Sequence, residues 1–472
     1  MTARGPGAMA GAMLEPPAQA PAAATTALIS DGLEAFALRA AVARKARTSL
    51  DLQYYIWNGD LTGRLLAREA LLAADRGVKV RLLLDDMYAM GRERGLSAMD
   101  AHPNLELRLF NATNWRRWGR TGFLLEMLFG GWHLNRRMHN KAWIADGKVV
   151  ICGGRNIGDR YFDASGDFNF RDLDLIIDGE VAAEAARMFE AYWNCPLARP
   201  ISRLARIGQR RRGLPRLRAR MDAANKAPEA QPFLDRLNAP PTDEAARLPI
   251  AAGAAHVLAD GPEKVRGHAE SAVAPALISL LAEARRGVLI ISPYFVPGED
   301  GAARLTDLAR AGVRVAVITN SLAATDVVAV HGGYARYRER LLEAGVELYE
   351  LKASGEKSAG VFGSRGASLH TKAMVVDGEA VFVGSFNLDP RSTTLNTEMG
   401  VLARQPALAA LVREEFDRLA EGARSWRLRL VDGALVWDDG ALLPGTPPEP
   451  GATLRRRVMA QILRRLPIES QL

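Results

Sequence analysis

At 472 residues, with 48% hydrophobic and 25% charged side chains, the chain can hold two or three domains with full cores and has the composition of an ordinary soluble globular protein. A net charge of +8 and a pI near 9.6 point to an anionic partner, whether nucleic acid, anionic lipid or a phosphorylated substrate. Cys152 and Cys195 are too few for a disulfide framework, which indicates a reducing compartment, and no stretch approaches the ~20 apolar residues of a membrane span.

Residues 1–30 are Ala/Pro-rich with no continuous apolar core and read as a flexible leader rather than a signal peptide. A first half follows over 31–200. It has a strand at 49–57, a helix at 62–76 stopped by Gly77, and strands at 78–84 and 105–109. Between them and the next strands lies an aromatic run, with Trp115, Trp118, Phe123, Phe129 and Trp132 among leucines and arginines, which suits a lipid headgroup boundary. An amphipathic helix using Val181, Ala185, Met188, Phe189 and Tyr192 closes the half. Residues 201–250 form a Pro- and Arg-rich linker of little periodicity. Arg203, Arg206, Arg210, Arg211, Arg212, Arg216, Arg218 and Arg220 make it either a solvated spacer or an arm against phosphate groups. The second half, 251–425, repeats the first: a strand at 288–294, a helix at 302–311 stopped by Gly312, strands at 313–319 and 346–350, and a helix using Leu408, Leu411, Val412, Phe416 and Leu419. Strands alternating with helices predict an α/β sheet in each half. The tail, 426–472, ends in a basic amphipathic helix at 454–466, in which each Arg near an anionic leaflet contributes about 1 kcal/mol.

One pattern occurs twice, 231 residues apart. His139 is followed by Lys141, Asp146, Gly147, Gly153 and Asn156, and His370 by Lys372, Asp377, Gly378, Gly384 and Asn387, with every offset equal. Of 62 Lys and Arg only nine are Lys, yet both copies keep Lys at this position. In each copy the residues predict a strand, an Asp-Gly turn and a returning strand, so that His and Lys two apart project to one face. The returning strands bring up Gly154 and Asn156 in one copy and Ser385 and Asn387 in the other. Imidazole, ammonium and amide on one face make a phosphate site in which the imidazole can react.

Two facing half-sites can do what one cannot: one His attacks phosphorus while the other handles the protons of the leaving and entering alcohols. Two Lys and two Asn neutralise the developing charge, so the reading needs no metal and no cofactor, and no Asp/Glu/His cluster has metal-ligand spacing. Each His needs a carboxylate on its other ring nitrogen, for which Asp172 and Glu398 are the candidates; Asp146 and Asp377, at the turns, take a structural or supporting place in the motif. The other histidines, His102, His133, His256, His268 and His331, are read as structural.

The duplicated pattern is the HKD signature of the phospholipase D superfamily, and the chain resembles that superfamily over roughly residues 30–425. Within it, the passages 52–57, 135–141, 153–159 and 466–469 are similar to bacterial cardiolipin synthases, especially the C-type branch. The resemblance implies two phospholipase D-like α/β/α sandwich halves related by a pseudo-twofold axis, with the active site at their interface. It implies transphosphatidylation through a covalent phosphohistidine, making cardiolipin from phosphatidylglycerol and a second phospholipid such as phosphatidylethanolamine, with His139 as nucleophile and His370 as general acid/base. By position, Asp172 and Glu398 match the carboxylates that orient these two His. It also implies a monomer, bound peripherally to an anionic membrane at the cytoplasmic face of a bacterial inner membrane. Phospholipid hydrolysis is the alternative. A nucleic-acid phosphodiesterase fits less well, because the aromatics near the motif cluster with aliphatics instead of interleaving with a basic stripe. Both copies keep the motif Asp, which argues against the tyrosyl-DNA phosphodiesterase branch.

Overall fold

Apolar strands bounded by Gly and Asp-Gly turns build two like sheets that meet at one seam. The computed structural model describes residues 22–204, 210–239, 250–354, 361, 366–440 and 448–472. From its outer edge inward, the first half runs Ala198–Pro200, Leu105–Phe110, Lys79–Asp85, Ser49–Tyr54, Ala142–Ala145, Val149–Gly153, Asp174–Asp178 and Ala22–Ile29. The second half runs Ala434–Asp438, Ser425–Val431, Glu347–Leu351, Arg314–Asn320, Gly287–Ile291, Ala373–Val376, Ala380–Gly384, Met399–Arg404 and Ile250–Ala259. Ala22–Ile29 pairs antiparallel with Ile250–Ala259, joining everything into one 17-stranded sheet. These two strands hold equivalent places in their halves and run in opposite directions, so the halves are related by a pseudo-twofold axis at the seam.

Helices cover both faces of the sheet. On one, Glu180–Asn194 and Pro406–Ala420 bury Val181, Phe189, Tyr192, Leu408, Val412 and Phe416 in a core shared by both halves. Each such side chain stabilises by roughly 1.5–3 kcal/mol on burial. On the other face each half keeps its own core, under Gly32–Lys45 and Leu61–Asp75 in the first and Val273–Glu283 and Gly298–Arg310 in the second. The shared core is what stops the halves from separating.

The motif hairpins turn as their sequence requires. Asp146 and Gly147 have φ of +54° and +64°, and Asp377 and Gly378 +55° and +69°, the left-handed pair of a two-residue hairpin turn. The Asp carboxylates lock these turns. Asp146 accepts the backbone N–H groups of Arg47, Thr48 and Ser49, and Asp377 those of Arg285, Arg286 and Gly287.

Three expectations about domain limits change. Of the leader, residues 1–21 lie outside the described residues, but Ala22–Ile29 is the seam strand, paired with Asp174–Asp178 on one side and Ile250–Ala259 on the other. Both partners are remote in sequence, and a run of Ala and Thr shows no pattern of its own. The 201–250 segment is largely helical where described: Arg210–Asn225 and Gln231–Asn238 pack on the first half through buried Met221, Ala224 and Phe233. Its spacing of Leu214, Leu217 and Met221 is helical but diluted by arginines. Arg218 is held by Asp75 at 2.8 Å and so is not free for phosphate; Arg206 and residues 240–249 lie outside the described residues, and the side chains of Arg210, Arg211 and Arg212 are not described. Finally, Ser425–Val431 and Ala434–Asp438 continue the second sheet instead of opening a tail.

Candidate active site

The two motif histidines sit where the halves cross over each other. His139 and Lys141 lie just before the strand Ala142–Ala145, and His370 and Lys372 just before Ala373–Val376, in extended segments that pair with the opposite half rather than inside their own strands. Met138 bridges Thr397, and the His139 N–H donates to the Thr397 carbonyl at 2.9 Å. In the other copy Ala367–Leu369 pairs with Asn169–Arg171, and the His370 N–H donates to the Arg171 carbonyl at 2.8 Å. Each His backbone is thus gripped by the residue immediately before the other half's carboxylate.

That grip decides the side-chain pairing. Nδ1 of His139 meets Oε2 of Glu398 at 2.9 Å, and Nδ1 of His370 meets Oδ2 of Asp172 at 2.5 Å. Both carboxylates were expected beside the histidines; the structure crosses them between halves. With Nδ1 engaged, Nε2 of each ring is the nitrogen left to meet a substrate.

The shells behind the carboxylates differ. Ser385 donates its hydroxyl to Glu398 Oε2, and Ser392 donates to Oε1 at 3.0 Å. Asp260 accepts the Glu398 N–H at 3.0 Å and is itself paired to buried Lys264 at 2.7 Å. Across the axis, Gly154 takes the place of Ser385, and a Cβ there would come within 2.1 Å of Asp172 Oδ1. The shorter carboxylate therefore needs a glycine under it.

Burial sets the electrostatics. Lys141 and Lys372 are both 1% exposed, and burial pulls them down to about 7 and about 8, with the Lys372 charge adding to the effect on Lys141 and the carboxylates of Asp172 and Glu398 opposing it at both. In each copy the ammonium donates to the carbonyl of its own His, at 2.5 Å for Lys141. Burial lowers the pKa of His139, opposed by Glu398; it lowers His370 well below the ordinary histidine value, helped by both lysines. Burial pushes Asp172 up to about 6. Burial acts the same way on Glu398, but His139, Lys141 and Ser385 outweigh it and hold the group below its ordinary value. Two buried lysines close enough to influence each other favour an anion in the site.

The two Asn do not act alike. Asn156 accepts the Ile56 N–H at 3.1 Å and donates to the Tyr161 hydroxyl at 3.1 Å, so it steadies Tyr161, whose ring stands edge-on to His370 at 5.4 Å. Asn387 leaves its Oδ1 without a partner among the described residues. Asp146 and Asp377, placed in the motif, are engaged at the hairpin turns, seven residues and about 23 Å of extended chain from their histidines. They shape the hairpins and touch neither imidazole.

The sequence reading missed Tyr55, edge-on to His139 at 5.3 Å, and Ser392, Thr397 and Asp260, which place Glu398. Tyr55 left a trace, just past the strand Ser49–Tyr54 in an aromatic passage; Ser392 sits in the short helix Pro390–Thr394, six residues before Glu398, and Asp260 lies 138 residues from it. Among the described residues no group of three or more His, Cys, Asp or Glu side chains is spaced to hold a metal ion.

Comparison with known proteins agrees with this arrangement. The family described as "Cardiolipin synthase, PLD-like domain" matches residues 41–193 and 277–420, one match per half. The chain is 40% identical to cardiolipin synthase C of Escherichia coli over 93% of its length and 94% of that protein's. It is 28% identical to a cardiolipin synthase of Geobacillus kaustophilus, covering 83% of this chain and 65% of the other. Among solved structures, phosphatidylserine synthase of Haemophilus influenzae superposes with a TM-score of 0.60 at 14% identity, covering 95% of each chain, and shares the fold.

Proposed function

The chain belongs to the cardiolipin synthase family of PLD-like domains, and from that premise and the geometry of its site we propose that it is a phosphatidyltransferase that makes cardiolipin from phosphatidylglycerol and a second phospholipid. The observation that carries the reading is the crossed pair of imidazoles, each on its own buried carboxylate, with two buried lysines in the same site.

In the first step Nε2 of His139 attacks the donor phosphorus and the P–O bond to the headgroup breaks, while His370 gives its proton to the leaving alkoxide. In the second, His370 takes the proton of the acceptor hydroxyl, the new P–O bond forms, and the P–N bond to His139 breaks. Lys141 and Lys372 hold the non-bridging oxygens. One observation favours the reverse order. Glu398, held ionised by His139, Lys141 and Ser385, supports an imidazolium at His139 better than Asp172, pushed up by burial, does at His370. Single-turnover trapping with acyl-labelled lipid, followed by peptide mapping, assigns the label to one His or the other.

An anionic bilayer is the proposed surface, on which the protein works as a peripheral monomer from the cytoplasmic face. Two elements are folded inside out in a way that supports it. In Gly119–Leu128, Glu126 points inward to Thr113 and Asn114, while Leu124, Leu128 and Phe129 face solvent, the last 77% exposed. In Leu454–Arg465, Arg456 is turned in to the carbonyls of Leu322 and Thr325, while Leu454, Val458 and Ile462 form an exposed ridge. Asn135, seven residues past the first element, and Gln471, six past the second, hydrogen-bond at 2.8 Å, which ties the chain leaving one to the chain leaving the other. No helix among the described residues is long and apolar enough to cross a membrane.

The test is incubation with phosphatidylglycerol vesicles, with and without phosphatidylethanolamine, and in parallel with single- and double-stranded DNA. Cardiolipin from the wild type and none from His139→Ala is expected; phosphatidic acid alone would make it a hydrolase, and DNA cleavage without lipid turnover would sink the proposal. Phe129→Glu with Ile462→Glu should cut vesicle binding by at least tenfold in sedimentation, since each places a charge where an apolar side chain would insert.

A further inference from the structure

Arg137 is a buried cation that the two-step chemistry leaves unused. Its side chain is 2% exposed, and among the described residues its one ionic contact runs from Nε to Asp85 at 3.2 Å. Neither Nη1 nor Nη2 has a hydrogen-bond partner among the described residues. Asp85 is already committed, accepting the N–H groups of Met87 at 2.9 Å and Met138 at 3.0 Å. The neighbouring arginines are spent: Arg136 donates to the Lys264 carbonyl, and Arg391 to Asn135 and Gln471. A guanidinium with two empty buried donors is costly, and an anion that fills them removes the cost.

Its position says which anion. Along this extended segment Met138 enters the shared core and Asn140 reaches Met188 in Glu180–Asn194, so alternation puts Arg137, His139 and Lys141 on the opposite face, in steps of about 6–7 Å. Upstream the chain leads through Asn135 to Trp132, which is 70% exposed beside the apolar surface assigned above to the bilayer. Arg137 therefore stands between the reacting imidazole and the membrane side. A phospholipid acceptor presents its groups in that same order: acyl chains in the bilayer, then its own phosphate, then the headgroup hydroxyl that attacks. The second copy has Ser368 at the matching place, so the feature belongs to one half alone.

Resting on the proposed transferase reading, we propose that Arg137 binds the phosphate of the acceptor phospholipid and thereby selects an alcohol that carries its own phosphodiester over a neutral alcohol. The guanidinium fork suits two phosphate oxygens at once.

A competition in one tube tests it. Acyl-labelled phosphatidylglycerol in mixed micelles is offered together with ethanol, and the ratio of cardiolipin to phosphatidylethanol is read, which is independent of total activity. Arg137→Gln should lower that ratio about tenfold, and Arg137→Lys, which keeps charge without the fork, should fall between. An unchanged ratio in folded Arg137→Lys overturns the inference whether or not Arg137→Gln folds. A wild type that forms neither product instead refutes the transferase reading beneath it.

Discussion

The two half-sites share a hairpin and differ in what lies behind it. Around His370 the carboxylate is the short Asp172, set over a glycine and pushed by burial up to about 6; around His139 it is the longer Glu398, fed by Ser385 and Ser392 and held below its ordinary value. The same backbone therefore presents one imidazole with a firmly ionised partner and the other with a partner close to its own protonation. A duplicated scaffold can specialise by changing the shell behind its reactive groups, leaving the groups themselves alike.

The bluntest way to break the comparison is to remove each imidazole. His139→Asn and His370→Asn should both lose about four orders of magnitude in transfer, as members of one acid-base unit do. Only the variant that keeps the nucleophile should still yield covalently labelled protein in a rapid-quench experiment; label in both would mean that the halves are interchangeable.

Swapping the shells is gentler. Gly154→Ser writes the second half's residue into the first, and its Cβ would meet Asp172 Oδ1 at 2.1 Å. Displacing that carboxylate by about 1 Å is expected to cost about a hundredfold in kcat. The reciprocal Ser385→Gly removes one hydroxyl from Glu398 and should cost only about tenfold. Equal losses would show that the glycine is not there for the carboxylate.

The smallest effect is in stability against pH. Asp172 binds its proton more tightly folded than unfolded, so its ionisation reduces stability as pH rises from about 4 to about 6, and the melting temperature of Asp172→Asn relative to wild type should climb across that window. Glu398 has the opposite sign. Its pKa is depressed on folding, so its contribution is present above about 4.3 and is lost as pH falls, and Glu398→Gln should approach wild type in acid. Parallel slopes for the two variants would dissolve the distinction.

Much of this was legible in the chain. The hairpins, their Asp-Gly turns and the residues His139, Lys141, His370 and Lys372 follow from a repeated local pattern, because a two-residue turn with φ > 0 and the two-residue alternation of extended chain depend on neighbours alone. The helix pair that forms the shared core was readable from its periodicity for the same reason. The Ala22–Ile29 strand was not, since its edges are satisfied by strands about 150 and 230 residues away. Nor was the orientation of Leu454–Arg465: its amphipathic pattern is plain, but which face turns outward depends on the carbonyls of Leu322 and Thr325.

The sequence by itself marked the two matched sets of groups proposed to do the chemistry and the need of each for a carboxylate. Only the tertiary structure decided that His139 is served by Glu398 and His370 by Asp172, 259 and 198 residues away. The physical reason is the antiparallel seam. It brings the backbone before each carboxylate against the opposite motif, where Thr397 and Arg171 take the histidine N–H groups and carry their neighbours' side chains across.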